Sequence, residues 1–249
     1  REREEQHRLA ELFGRASMEV GEIEDAIRGY SRANQLDPQH IPSLIGLANA
    51  YFAASDWEKA SKYYQALLVQ QRDALDSEQL VDIYYRHGMV KRAQGEPRKA
   101  INSFDKALEE DAGHRPTLDA LVEIYSEQGK WDQVIHFKQQ TLDNILDEAE
   151  RFDLLLEIGD IWHEKLKKPA EAIAPYTDAC DIRPDDLGAL LEAEHLVPAQ
   201  PLEPLERHAV DEAKIALVRD RDAEVLHGTA EAVLHDGQVS HWWPRGSAA

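Results

Sequence analysis

The sequence predicts an all-α solenoid of about five antiparallel helix hairpins, followed by a divergent C-terminal segment. Three observations carry that prediction. First, a marker recurs: a small residue, an aromatic four positions on, then a small or apolar residue three further. It reads Ala26, Tyr30, Ala33; then Ala60, Tyr64, Leu67; then Ala100, Phe104, Ala107; then Ala172, Tyr176, Ala179. Second, apolar residues around each marker fall at three- and four-residue spacing, the signature of amphipathic helices. Third, turn residues Gly21, Ser55, Gly95 and Gly129 stand at matching places ahead of the markers, with Trp57, Trp131, Pro97 and Pro169 in the slot where the next helix starts.

The repeats follow in order. The first two markers lie 34 residues apart and the next two 40 apart, so six residues, 75–80, are inserted and are expected to lengthen the helices there. The gap to the last marker leaves room for a weaker repeat around Val134, where Val134, Lys138 and Thr141 replace the usual residues. Paired bulky and small residues precede each marker: Phe13-Gly14, Leu47-Ala48, His87-Gly88, Leu121-Val122 and Ile158-Gly159. The units are read as 7–40, 41–74, 81–114, 115–148 and 152–186, with 1–6 extending the first helix. The last unit carries one extra residue near Leu166-Lys167-Lys168. Small residues such as Gly88 and Ala100 let paired helices approach, while Tyr51, Tyr64 and Phe104 fill the layer between them. Leu at Ala100 is therefore expected to overpack a crossing, at about 1–3 kcal/mol.

Beyond Asp186 the pattern fades. Residues 187–204 read as a degenerate capping helix ended by Pro198, Pro201 and Pro204, and 205–249 as a partly helical or disordered tail. The segment from 187 on holds five of the eleven His but a single Lys, Lys214, and a shifted reading frame would produce such a mix too.

The repeat length and marker resemble the tetratricopeptide repeat family, a helix–turn–helix unit of 34 residues. The resemblance implies a right-handed superhelix whose first helices line a concave groove, with residues 2, 5, 9 and 12 of each repeat meeting a peptide or partner helix. On this chain it implies a partner-binding groove containing Arg15, Met18, Ile45, Asn49, Phe52, Tyr85, Met89, Arg92, Asp119 and Glu123. Repeats 1 to 3 contribute an apolar half flanked by Arg8, Arg15 and Arg92; repeats 4 and 5 contribute an acidic half with Asp119, Glu123, Asp153 and Asp160. Met18 and Met89, the two methionines of the chain, both fall in the apolar half. Ile45 and Phe52 also have a plainer reading, as contacts with neighbouring helices. The two-carboxylate clamp of chaperone-binding members fits neither possible start. Glu11, Arg15, Gly46, Asp82 and Arg86 match it only at Arg86, and Ile45, Asn49, Arg86, Pro116 and Ala120 only at Asn49.

Composition narrows the function classes. With 28 Lys+Arg against 48 Asp+Glu the net charge is −20, which disfavours nucleic acid and anionic membranes. No apolar run reaches the roughly 18 residues of a membrane span, and Arg1-Glu2-Arg3-Glu4-Glu5 carries no apolar signal core. A single cysteine, Cys180, fits a reducing compartment and reads as a small buried hydrophobe. No phosphate-cradling glycine loop, nucleophile elbow or HExxH zinc motif is present. Trp162-His163-Glu164 lacks a second His, Glu192 and His195 form only a half-site of the di-iron kind, and His208, His227, His235 and His241 lack ligand spacing.

The expectation is a non-catalytic cytoplasmic scaffold that binds a protein or peptide and needs no metal or cofactor. Its oligomeric state is left open. A second reading makes it the binding arm of a larger enzyme or signalling protein, since the chain starts at Arg1 without Met. A third, a helical-repeat RNA binder, runs against the charge.

Overall fold

The structure, a computed structural model, describes residues 1–184 and Asp186. Among them ten α-helices pair into five hairpins: α1 (Glu2–Glu19) with α2 (Ile23–Leu36), α3 (Ile41–Ala53) with α4 (Trp57–Gln70), α5 (Ser77–Ala93) with α6 (Pro97–Glu110), α7 (Arg115–Glu127) with α8 (Trp131–Asn144), and α9 (Glu148–Asp160) with α10 (Pro169–Ile182). Each hairpin stacks on the next, and the odd-numbered helices α1, α3, α5 and α7 also touch in succession. The described residues contain no strand, and the fold is an all-α solenoid. The capping helix and tail expected over 187–249 lie outside the described residues.

The helix ends follow from local chemistry. Asp56 and Asp147 cap α4 and α9 by accepting from the backbone N–H of Lys59 and Glu150. Asp76 and Gln79 form a reciprocal capping box at α5. Pro97 and Pro169 open α6 and α10, where a missing N–H costs nothing. Between the two helices of a hairpin the chain turns through one left-handed residue: Gly21, Ser55, Gly95 and Gly129 have φ of 80°, 57°, 73° and 66°. The same bond closes four of these turns, from Glu22 N to Ser17 O, Asp56 N to Tyr51 O, Glu96 N to Lys91 O and Lys130 N to Tyr125 O, always spanning five residues.

The recurrent aromatic sits on the recurrent small residue. Tyr64 and Phe104 are fully buried, Tyr176 and Tyr30 nearly so, against Ala48, Gly88, Gly159 and Gly14 of the paired helix. A Cβ on Gly88 would lie 2.5 Å from the Phe104 ring, and one on Gly159 would lie 2.7 Å from Tyr176. Ala100 is fully buried at the α5–α6 crossing, as expected. Where α1 crosses α2 the backbones themselves come close: a Cβ on Gly29 would approach the Gly14 backbone nitrogen to 2.6 Å.

The fourth hairpin exchanges the two partners. Val122 takes the place of the small residue and Lys138 that of the ring; Val122 fills the volume itself, packing into the cores on both sides. The aromatic slips one position to Phe137, buried and stacked on Tyr125 with centroids 5.6 Å apart. The fifth hairpin absorbs its extra residue as a π-helical turn over Ile161–Lys165 and a left-handed Lys167, φ 56°. Its closing bond, Lys168 N to Trp162 O, spans six residues. A short 3-10 turn (Arg72–Ala74) precedes the inserted residues 75–80, the last four of which begin α5 and bring it to 17 residues.

Candidate functional site

The ten groove residues lie on α1, α3, α5 and α7. The apolar ones are held from one side by the core. Met18 packs on the cluster of Ala26, Tyr30, Leu47 and Ala50. Ile45 and Phe52 pack on the cluster around Leu44, Tyr64 and Ile83, and Tyr85 and Met89 on that around Phe104 and Leu118. All five are half-buried, so the plainer reading of Ile45 and Phe52 holds for one flank of each while the other stays open. The Phe52 ring meets Trp57 edge-on at 5.6 Å, and the Arg86 guanidinium lies 5.7 Å from its centroid. The Arg86 Nε donates to both Asp82 carboxylate oxygens at 2.8 Å. Sequence reasoning weighed Arg86 only against the clamp and left it out of the groove residues, although its four-residue spacing from Asp82 announced the pair.

Asn49 is fixed by its neighbour. The Tyr64 hydroxyl donates to Asn49 Oδ1 at 2.6 Å, and burial pushes the Tyr64 phenol well above its ordinary value, so it remains a donor. The Asn49 amide hydrogens are thereby turned to the half-open side. The same bond recurs in the fifth hairpin, where Tyr176 donates to Asp160 at 2.6 Å. Asp160 is thus a structural acceptor.

Several charged side chains on α5, α7 and α8 pair across helices. Arg92 on α5 reaches across to α7, bonding Glu123 and, at 2.6 Å, Glu127. The Glu123 hydrogen bond is the main cause that raises its already high pKa. Arg115 Nε holds Asp119 at 2.9 Å and its Nη1 holds Glu150 at 2.6 Å; Lys138 pairs with Glu157. Arg92 and Arg115 each hold two carboxylates, so the acidic half keeps a net negative charge, and Arg92 is a tie between repeats. Arg15 is exposed.

One metal-ligating trio comes together: His7, Glu11 and His40, each half-buried, with ligand atoms within 4.8 Å of one another. Spacing along the chain concealed it, because His40 belongs to another helix. His40 has a local partner, its Nδ1 lying 2.8 Å from Ser43 Oγ just as His114 Nδ1 lies 2.7 Å from Thr117 Oγ1. Cys180 is half-buried against Phe152, Leu155 and Ala179, and burial raises its thiol pKa, as befits an unreactive side chain. No described helix is long and apolar enough to cross a membrane.

The sequence model described as tetratricopeptide repeat matches residues 40–109, the second and third hairpins. The "Protein CTR9 homolog" of Arabidopsis thaliana is 27% identical over 103 residues, which is 41% of this chain and 9% of that protein's length. Among solved structures, the MamA protein superposes with a TM-score of 0.58 at 19% identity, over 79% of this chain and 99% of that one. YrrB, a TPR protein described as having an unusual peptide-binding site, gives 0.51 at 19% identity over 74% and 90%. The C-terminal part of a TPR repeat-containing protein from Cytophaga hutchinsonii gives 0.54 at 12% identity over 76% and 69%. These structural likenesses establish the fold, and residues 40–109 match the tetratricopeptide repeat.

Proposed function

We propose that the chain is a non-catalytic scaffold that binds a peptide or helix of a protein partner along α1, α3 and α5. The observation that carries this reading is the row Met18, Ile45, Phe52, Tyr85 and Met89, apolar side chains seated in the core on one flank and left partly open on the other. Partly open apolar rows mark contact surfaces, and Met adapts to irregular partners. Asn49 adds oriented amide donors for a backbone carbonyl. The bound segment is apolar, and a basic residue at one end suits the carboxylates around α7, which outnumber Arg92 and Arg115.

The test is differential capture. Intact chain and an Ile45→Asp, Tyr85→Asp variant, shown equally helical by circular dichroism, are exposed to a displayed random-peptide library. Apolar peptides enriched by the intact chain and lost with the variant support the groove. Equal enrichment by both overturns it.

A further inference from the structure

A second surface stands out by its charge. Between α4, α5 and α6 lies an open pocket of about 520 Å³. Five of the residues lining it are cationic, Arg72, Lys91, Arg98, Lys99 and Lys106, and none of the described residues lining it is acidic. In a chain of net charge −20 this is a local inversion. Carboxylates at the edge take part of it: Glu110 pairs with Arg72 at 3.3 Å, and Glu96 with Lys91 and Lys99. Arg98 and Lys106 have no carboxylate partner among the described residues, and Lys106 rests 5.8 Å from the Tyr84 ring.

The opposite wall is apolar. Leu68 and Val69 of α4 line it with Tyr84, and Val69 is 74% exposed. His87 also lines the pocket. Ser103 Oγ directs its proton to the Lys99 carbonyl at 3.2 Å, so His87 Nδ1–H donates to Ser103 Oγ at 2.9 Å. That leaves His87 Nε2 as a buried acceptor without a partner among the described residues, a group that calls for a donor. On α5, Tyr84, His87 and Lys91 fall on the side turned away from Tyr85, Met89 and Arg92 by helical spacing, so this surface is separate from the groove.

We propose that this pocket binds a short acidic peptide segment of a protein partner, carboxylates set beside an aliphatic residue. The cationic wall takes the carboxylates, the α4 wall the aliphatic side chain. A bare inorganic anion leaves the apolar wall unused. A long polyanion such as RNA meets five cations and then the field of an acidic chain.

The test is fluorescence anisotropy of the full chain with a labelled peptide of Glu and Leu at low salt. The expected result is saturable binding, weakened at least tenfold by Arg98→Glu with Lys106→Glu and less by the milder Arg98→Gln with Lys106→Gln. Arg32→Glu with Lys130→Glu, the same charge change elsewhere, leaves it unchanged, as does the Ile45→Asp, Tyr85→Asp groove variant. Replacing the peptide's Leu by Ser weakens binding. Absence of saturable binding, equal loss in the control pair, or indifference to the Leu overturns the proposal. So does full displacement by millimolar phosphate, or tighter binding of single-stranded RNA that the reversal abolishes. Circular dichroism of each variant confirms that it is folded.

Discussion

The Tyr64 hydroxyl and the Asn49 side-chain carbonyl, 2.6 Å apart, join the buried ring of one helix to the half-open face of its partner. The bond decides which end of the Asn49 amide a ligand meets. Asn49→Asp keeps the acceptor that Tyr64 needs, as Asp160 does for Tyr176. The variant should match the parent in thermal unfolding yet lose the amide donors. Peptides selected on the parent should bind it several-fold more weakly, which isothermal titration would measure. Equal affinity would remove Asn49 from the contact surface.

Tyr64→Phe tests the other end of that bond. It deletes the donor and leaves the Asn49 carbonyl to solvent. A neutral hydrogen bond of this kind contributes about 0.5–1.5 kcal/mol. Urea denaturation should register a loss in that range with an unchanged m-value.

Gly29→Ala should destabilise the α1–α2 hairpin specifically. Its new Cβ would press on the Gly14 backbone, which cannot rotate away as a side chain can. The expected cost is about 1–3 kcal/mol. Hydrogen exchange should quicken in α1 and α2 first, leaving α5 and α6 near their parent rates.

Val122 and Lys138 should behave as a coupled pair. Val122→Gly alone opens a void, and Lys138→Tyr alone drives a ring into Val122. Made together they restore the combination found at Gly88 and Phe104. A double-mutant cycle should give a favourable coupling of about 0.5–3 kcal/mol. Additive losses would mean that the fourth hairpin has relaxed around its own solution.

His87 should make stability depend on pH. Burial first, then Lys91 and Lys106, lower its pKa from 6.5 to about 4, with Glu96 opposing. Between those values the unfolded chain holds a proton that the folded chain does not. Stability therefore rises with pH through this window and is complete above it. The gap amounts to at most roughly 3 kcal/mol, less what solvent screens at this partly open site. Denaturation midpoints from pH 4 to 7 should rise in the parent and flatten in His87→Asn.

The hairpins were legible because each rests on a local rule repeated at fixed spacing. Gly21, Ser55, Gly95 and Gly129 announce turns, and Tyr30, Tyr64, Phe104 and Tyr176 announce the rings that fill them. The groove residues were legible as positions but not as chemistry. Nothing in the one-dimensional pattern says that Arg92 spends itself on Glu123 and Glu127, or Arg115 on Glu150, because those partners sit one repeat away. The cationic pocket was hidden for a related reason. Arg72, Lys91 and Lys106 lie on three helices, and their summed field is submerged in a strongly negative total.

The six-residue turn that closes the fifth hairpin has a mechanical meaning. One residue added to an ordinary helix rotates everything after it by about 100°, which would swing the buried face of α10 out to solvent. The widened turn at Ile161–Lys165 takes up that rotation as slack, and Tyr176 still meets Gly159 and Asp160. The solenoid is thus phase-tolerant at this joint: length can enter or leave the loop while the two helices stay in step.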